Sequence, residues 1–359
     1  MSVRKRFWVV GLAAWLVAAG CSSGTAALKP LKFQLQWVAQ SQFAGYYAAL
    51  DQNYYKDAGL DVTLLLGGPQ VNNVQVVATG GADIGTAWLP NMLQSREGGT
   101  DLVSISQLFQ RSGTRMASFK DKNITDPKTM AGKKIGSWLG GNEPELFAGL
   151  TKAGLDPTKQ NIIKQNFDMS GLLKGDLDTA QAMIYNEYAQ VLEAKNAETG
   201  ELNKPTDLNV INYNDVGTSM LQDALFARAS WLAEAGNEDI ATRFLKASFQ
   251  GWIYCRANPA DCVQYTVNAG STLGAGHQAW MMNEINPLVW PSPTGIGSLD
   301  PAEWQQTVDV ALAAGIIKAA PPAEAFRTDL ATAALSAITD DTKGADFKKG
   351  EVQVTEGGN

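Results

Sequence analysis

Lys32-Phe33-Gln34-Leu35-Gln36-Trp37 opens a segment that holds three elements in succession. These six residues alternate between apolar and polar, the period of a half-buried strand. Phe43, Tyr46, Tyr47 and Leu50 then recur at i, i+3, i+4 and i+7, which is one face of a helix. Gly59 stops that helix, and Leu60-Asp61-Val62-Thr63-Leu64-Leu65-Leu66 reads as a second, more buried strand. Strands alternating with helices point to a parallel sheet in an α/β protein.

The alternation continues outward from this unit. A helix is expected around Val71–Ala78, a strand at Asp83–Trp88, a helix at Pro90–Arg96 and a strand at Leu102–Ile105. A second series follows: strand Lys134–Trp138, helix Pro144–Ala153, strands Asn161–Phe167 and Ala180–Ile184, helix Tyr188–Asn196 and strand Asn209–Tyr213. Two successive series suggest two lobes. Beyond Leu225 long helices dominate, at Ala233–Cys255, Pro259–Asn268 and Trp304–Ala314, the last after the capping signal Asp300-Pro301-Ala302-Glu303. The polar tail from residue 341 to 359 is expected to fray.

At the other end, Arg4-Lys5-Arg6 precedes an apolar run from Phe7 to Ala19. A charged start, a short apolar core and small residues form a secretory signal, and the run is too short to stay in a bilayer. Leu16-Val17-Ala18-Ala19-Gly20-Cys21 resembles the bacterial lipoprotein box, with Ala18 where Leu is commonest. Cys21 would then be the lipidated first residue; the alternative is a plain secretory signal in which Cys21 is incidental. Residues 1–20 are thus read as signal and 21–30 as a flexible, lipid-anchored tether. The expected location is the outer face of the cell membrane, away from ATP and most metabolic cofactors.

Composition bounds the function further. The 359 residues carry a net charge of −7, and loss of Arg4, Lys5 and Arg6 with the signal leaves about −10. No basic stripe suggests nucleic acid. Eight of the ten tryptophans lie beyond the signal. After Cys21 only Cys255 and Cys262 remain. In one unbroken helix their spacing gives about 10 Å of rise, too far for a disulfide. Asn258-Pro259 looks like a cap followed by Pro in a first turn, so a helix ending at Cys255 and restarting at Pro259 could join the two sulfurs. A disulfide and two buried free thiols both remain open. His277 is the lone histidine; it excludes a multi-histidine metal site and is expected in a surface loop beside Gly274-Ala275-Gly276. No catalytic triad context, Gly-x-Ser-x-Gly elbow or phosphate loop is present, and no metal or cofactor is expected.

The block Leu35-Gln36-Trp37-Val38-Ala39-Gln40-Ser41-Gln42-Phe43-Ala44-Gly45-Tyr46-Tyr47-Ala48-Ala49 resembles solute-binding proteins of ABC importers. So do Asn53–Val62, Gly67-Gly68-Pro69, Gly81-Ala82-Asp83-Ile84-Gly85, Phe109-Gln110-Arg111-Ser112 and Met183-Ile184-Tyr185-Asn186-Glu187-Tyr188. The similarity covers roughly residues 31 to 320 and points to the NMT/THI-like branch, which binds thiamine-pyrimidine precursors and riboflavin. It implies the two-lobed periplasmic-binding-protein (type II) fold, with ligand in the cleft between lobes. Residues 31–115 with 223–340 would form one lobe and 116–222 the other, with crossings near Arg115–Phe119 and Leu221–Arg228. It also implies partners: an ABC permease with its ATP-binding subunit. The protein itself is expected to be a monomer.

Open α/β sheets bind ligands outside the carboxyl ends of their strands. That rule selects Trp37, Gln40, Gln42, Phe43 and Tyr46; Gly68 and Asn72; Trp88; Gln110; Trp138, Asn142 and Glu143; and Tyr185, Asn186, Glu187 and Tyr188. Trp37, Trp88 and Trp138 either stack on a flat ring or pack in a core. Gly67-Gly68-Pro69 either brings backbone N–H groups to the cleft or simply turns. Gly140-Gly141-Asn142-Glu143-Pro144 opens a helix that could hold an anionic or carbonyl oxygen, unless Asn142 or Glu143 serves as an ordinary cap. Pyrimidine-binding relatives typically carry His where this chain has Phe43. That departure and the abundant tryptophan favour riboflavin over a pyrimidine such as formylaminopyrimidine. The family's pyrimidine synthase needs a reactive His, a cofactor lysine and a cysteine-rich motif; Phe43, the missing cysteine cluster and the export signal speak against an enzyme.

Overall fold

A computed structural model describes residues 27–359. The signal, Cys21 and most of the expected tether lie outside the described residues. Lys29 and Pro30, expected in the tether, instead pair with Leu60 and Asp61 in the first sheet.

Among the described residues, ten strands form two five-stranded sheets. The first contains β1 (Lys29–Gln34), β2 (Leu60–Leu65), β3 (Ile84–Ala87), β4 (Leu102–Gln107) and β10 (Ala224–Arg228), in the order β2-β1-β3-β10-β4. The second contains β5 (Thr114–Phe119), β6 (Lys134–Ser137), β7 (Asn161–Lys164), β8 (Thr179–Met183) and β9 (Leu208–Asn212), in the order β7-β6-β8-β5-β9. β1, β2 and β3 are parallel, as are β6, β7 and β8. One strand in each sheet runs against its neighbours: β10 in the first, β5 in the second. Each is the strand that the chain lays down directly after crossing from the other lobe. Arg115–Phe119, expected as a crossing, is therefore part of a sheet strand, and so is Ala224–Arg228 of the expected crossing Leu221–Arg228. The crossings proper are the short segments just before them, residues 108–113 and 217–223.

Gln222 ties the two crossings together. Its Oε1 accepts from Gly113 N at 2.9 Å, and its Nε2 donates to Thr114 Oγ1 at 2.6 Å. Gln107 Nε2 donates to Gln222 O at 2.6 Å.

The C-terminal helices cover the first sheet. Phe33 of β1 packs 4.8 Å from both Tyr46 and Phe244, so the Phe43–Leu50 stripe faces the helix Asn237–Ala257. The helices meet through glycine: a Cβ on Gly251 would lie 2.0 Å from Gly45 O. The helix Asn237–Ala257 runs two residues past Cys255 and turns at Asn258 into the helix Pro259–Asn268. That turn brings the Cα atoms of Cys255 and Cys262 to 5.6 Å, and the sulfurs are bonded.

Two expectations fail here. His277 is not in a surface loop. Gly274 instead precedes the helix Ala275–Val289, and His277 is 1% exposed on it. The polar tail does not fray. Ser292 N donates to Lys343 O at 2.8 Å, Gly357 N donates to Glu193 O at 3.1 Å, and Gly358 is buried against His277. Backbone groups and the ion pairs of Asp341 with Arg256, Lys349 with Glu284 and Glu356 with Lys195 hold the tail, and a tail built from polar residues gives no periodic signal of that.

Candidate functional site

The loops after β1, β2, β3, β6, β7 and β8 converge on a cleft between the lobes, with a cavity of about 1020 Å³. The first lobe supplies Gln36, Trp37, Gln40 and Gln42, the Gly68–Gln75 segment, and Trp88, Asn91 and Gln94. The second supplies Trp138–Glu143, Lys164, Phe167 and Met183, with Tyr185, Asn186 and Glu187. The lobes touch at the mouth, where the Trp37 and Phe167 rings lie 4.9 Å apart at 56°.

Each loop is held by identifiable bonds. Gly67 presses against the turn after β1, where a Cβ would lie 2.5 Å from Leu35 O, and its N–H donates to Trp37 O at 2.9 Å. That N–H is engaged, so the loop positions Trp37 and Gly68 rather than offering Gly67 N–H to a ligand. Gln181 of β8, fully buried, accepts from Trp138 N at 3.3 Å and donates to Asn142 O at 2.8 Å. Glu143 Oε2 accepts from Gly141 N at 2.9 Å. The carboxylate thus takes up the Gly141 N–H, and Glu143 is the helix's N-cap residue without a side-chain capping bond.

The polar wall carries a linked set of amides. Gln42 Nε2 donates to Asp223 Oδ1 at 2.9 Å and to Oδ2 at 3.0 Å. Gln36 Nε2 also donates to Asp223 Oδ1. Gln40 Nε2 donates to Gln42 Oε1 at 2.6 Å. Gln36 Oε1, Gln40 Oε1 and Trp138 Nε1 are buried without a partner. Buried polar atoms are nearly always paired, and these three belong to residues that line the cavity.

Burial pushes the Asp223 carboxyl up to about 7, eased by the bonds from Gln42 and Gln36. Burial likewise raises Glu187 to about 7, with Met183 N lowering it in part. The Tyr185 hydroxyl is driven well above its usual range by burial, then by Asp223 and Glu187.

Most residues selected from the sequence meet here: Trp37, Gln40, Gln42, Gly68, Asn72, Trp88, Trp138, Asn142, Glu143, Tyr185, Asn186 and Glu187 line the cavity. Four do not. Phe43 and Tyr46 point into the first lobe's core, Tyr46 edge-on to Trp252 at 5.8 Å. Gln110 Nε2 donates to Gln107 O at 2.9 Å and Ser298 O at 3.1 Å, behind the crossing. Tyr188 packs 6.1 Å from Trp280. The helix stripe that revealed Phe43 and Tyr46 is also what buries them. Asp223, Phe167 and Lys164 were not anticipated. Phe167 lay at the end of an expected strand and could have been found by the strand-end rule; Asp223 carries no local signal.

A family model described as NMT1/THI5 like matches residues 40–262. The chain belongs to the NMT1/THI5-like family. Members similar to it bear different names. The formylaminopyrimidine-binding protein of Halalkalibacterium halodurans is 21% identical over 266 residues, covering 72% of this chain and 78% of that protein. Riboflavin-binding protein RibY of Chloroflexus aurantiacus is 21% identical over 314 residues, covering 84% and 86%. A 4-amino-5-hydroxymethyl-2-methylpyrimidine phosphate synthase of Aspergillus parasiticus is 23% identical over 251 residues, covering 68% and 72%. Among solved structures, the periplasmic aliphatic sulphonate binding protein SsuA of Escherichia coli aligns with a TM-score of 0.62 at 14% identity, covering 82% of this chain and 90% of that one. The NMT1/THI5-like chain thus has the two-lobed periplasmic-binding-protein fold.

Proposed function

We propose that this protein is the extracytoplasmic solute-binding component of an ABC importer, tethered through Cys21, and that it captures a neutral flat heterocycle, riboflavin first. The observation that carries this reading is the cavity lining. Trp37, Trp88, Trp138, Phe167 and Tyr185 offer aromatic faces from both lobes, while Asn72, Asn73, Gln75, Asn91 and Gln94 offer amides along one side. Rings on aromatic walls and a polyhydroxylated chain among amides is the division of labour that a flavin needs. The volume of about 1020 Å³ suits a large ligand; a single pyrimidine would leave most of it to water. Lys164, exposed, is the one cation among the described lining residues, which disfavours sulfonates and phosphates. Bound solute would be passed to a permease and its ATP-binding subunit after the lobes open.

A pyrimidine remains the second reading, since the formylaminopyrimidine-binding relative is as similar, at 21%, as the riboflavin-binding one. Phe43, being buried in the core, no longer argues for either ligand. An enzyme is disfavoured by what the reactive groups are doing. His277 Nδ1 lies 2.8 Å from Glu193 Oε1 and Nε2 lies 3.0 Å from Asn186 Oδ1, and Cys255 is bonded to Cys262. Calorimetry of the mature protein with riboflavin, formylaminopyrimidine and thiamine is the test. Saturable heat with riboflavin and quenching of its fluorescence are expected; binding of a pyrimidine alone would transfer the assignment.

A further inference from the structure

We infer that Asp223, which stands behind the cleft wall, is a positioning residue that fixes the hydrogen-bonding polarity of the cleft: through Gln36, Gln42 and Gln40 it turns two carbonyl oxygens toward the ligand, which must therefore present N–H donors. The inference rests on the cleft being the solute site, as proposed above.

An ionised carboxylate can only accept. Both oxygens of Asp223 face Gln42, at 2.9 and 3.0 Å, so the nitrogen end of that amide must point at them. Gln42 Oε1 then points the other way and accepts from Gln40 Nε2 at 2.6 Å. With its nitrogen so directed, Gln40 presents Oε1, which is buried and unpartnered on a side chain 2% exposed. Gln36 is a second, shorter arm. Its nitrogen is drawn to Asp223 Oδ1, which leaves Gln36 Oε1 buried and unpartnered too. Both glutamines line the cavity. An amide on its own has no preferred end; here one charge orders three of them.

The ligand edge that fits is an exocyclic amine or a ring N–H flanked by carbonyls. Trp138 Nε1, the unpartnered donor from the second lobe, complements it by taking a ring nitrogen or carbonyl oxygen. Asp223 sits at φ +55° in the second crossing, one residue after Gln222, so the group that orders the amides is anchored where the chain passes between the lobes. The titratable groups around it are the Tyr46 and Tyr185 hydroxyls, both neutral. Protonated, Asp223 would become a donor and release the amides to rotate; its carboxyl titrates at about 7 because of burial, so the ordering is lost in mildly acidic solution. Glu187, also in the lining, titrates in the same range and must be separated from it.

The test compares ligands with and without the N–H: riboflavin against 3-methylriboflavin, and formylaminopyrimidine against its analogue with a dimethylated amine. Affinities are measured by calorimetry at pH 8 for the wild type, Asp223→Asn and Gln40→Met, with folding checked by thermal melts. The wild type should prefer the N–H member of a pair by about tenfold or more. Both variants should shrink that preference to about threefold or less. Gln40→Met keeps the test decisive if Asp223→Asn does not fold. Lowering the pH to 5.5 should shrink the wild-type preference, and Glu187→Gln should leave that pH effect in place. A variant that weakens both members of a pair equally, or a wild type with no preference, overturns the role given to Asp223 alone. A wild type that binds none of the four ligands overturns the proposed function, and this inference with it.

Discussion

Replacing Trp37 by Ala should cost the protein most of its hold on its ligand, and replacing Trp304 by Ala should not. Trp37 is half-buried just past the end of β1, and its ring meets Phe167 of the other lobe at 4.9 Å. A ligand ring laid on it would cover about 80 Å² of indole face, worth about 2 kcal/mol at roughly 25 cal/mol per Å². Offset stacking adds about 0.5–1.5 kcal/mol. Water and the Phe167 ring would refill part of the gap, so the net loss is about 1–3 kcal/mol, a ten- to hundredfold weaker affinity. Because the same ring closes the mouth of the cleft, the loss should fall mainly on the dissociation rate. Trp304 is the control. It is 8% exposed on the helix Pro301–Ala313, its ring 4.5 Å from Phe326, and it does not line the cleft. Truncating a buried Trp costs about 3–5 kcal/mol of stability, so the melting temperature should fall while the affinity of the folded fraction holds. Stopped-flow and calorimetric titration of both variants, at a temperature where each is folded, reads the difference. Equal losses, or a larger loss at Trp304, would mean that the ligand sits elsewhere.

Cys21→Ala should release the protein from membranes without changing its affinity, as two acyl chains suffice for stable anchoring; fractionation of cells expressing each form checks this, and a wholly soluble wild type would refute it. Glu145 is fully buried beside Met220, whose N–H it accepts at 2.6 Å, and burial lifts its carboxyl to about 7. A raised acid stabilises the fold below its unfolded pKa, and that contribution is lost as pH climbs through the folded value. Glu145→Gln should therefore melt close to the wild type at pH 4.5 and higher than it at pH 8, by up to about 3 kcal/mol; an offset that is the same at both pH values would contradict the sign. Changing Cys255 and Cys262 together to Ser opens a short loop and should cost about 2 kcal/mol, seen as a lower denaturant midpoint with riboflavin affinity intact.

The alternation of strand and helix was legible because each element's period is written in a few neighbouring residues. Lys32–Trp37 alternates, Phe43–Leu50 repeats on one face, and Gly59 and Asn258-Pro259 punctuate. The carboxyl-end rule put Trp37 and Trp88 at the ligand edge of one sheet and Trp138 and Tyr185 at that of the other, because parallel strands within a sheet end on the same side; that the two edges share a cleft came from the family resemblance. The sequence could not say which face of a turn a side chain takes. Phe43 and Tyr46 follow the cleft loop closely in the chain, yet the helix that carries them turns them onto Phe33 and Trp252. His277 looked like a loop residue beside two glycines, and only the fold places it between Glu193 and Asn186, under a tail that ought to have frayed. The polarity of the cleft lies furthest from the sequence: Asp223 is 181 residues from Gln42 and 187 from Gln36. Local periodicity records what a residue does for its own helix or strand. Which carboxylate orders which amide is decided only when the chain returns through its second crossing and closes the lobe.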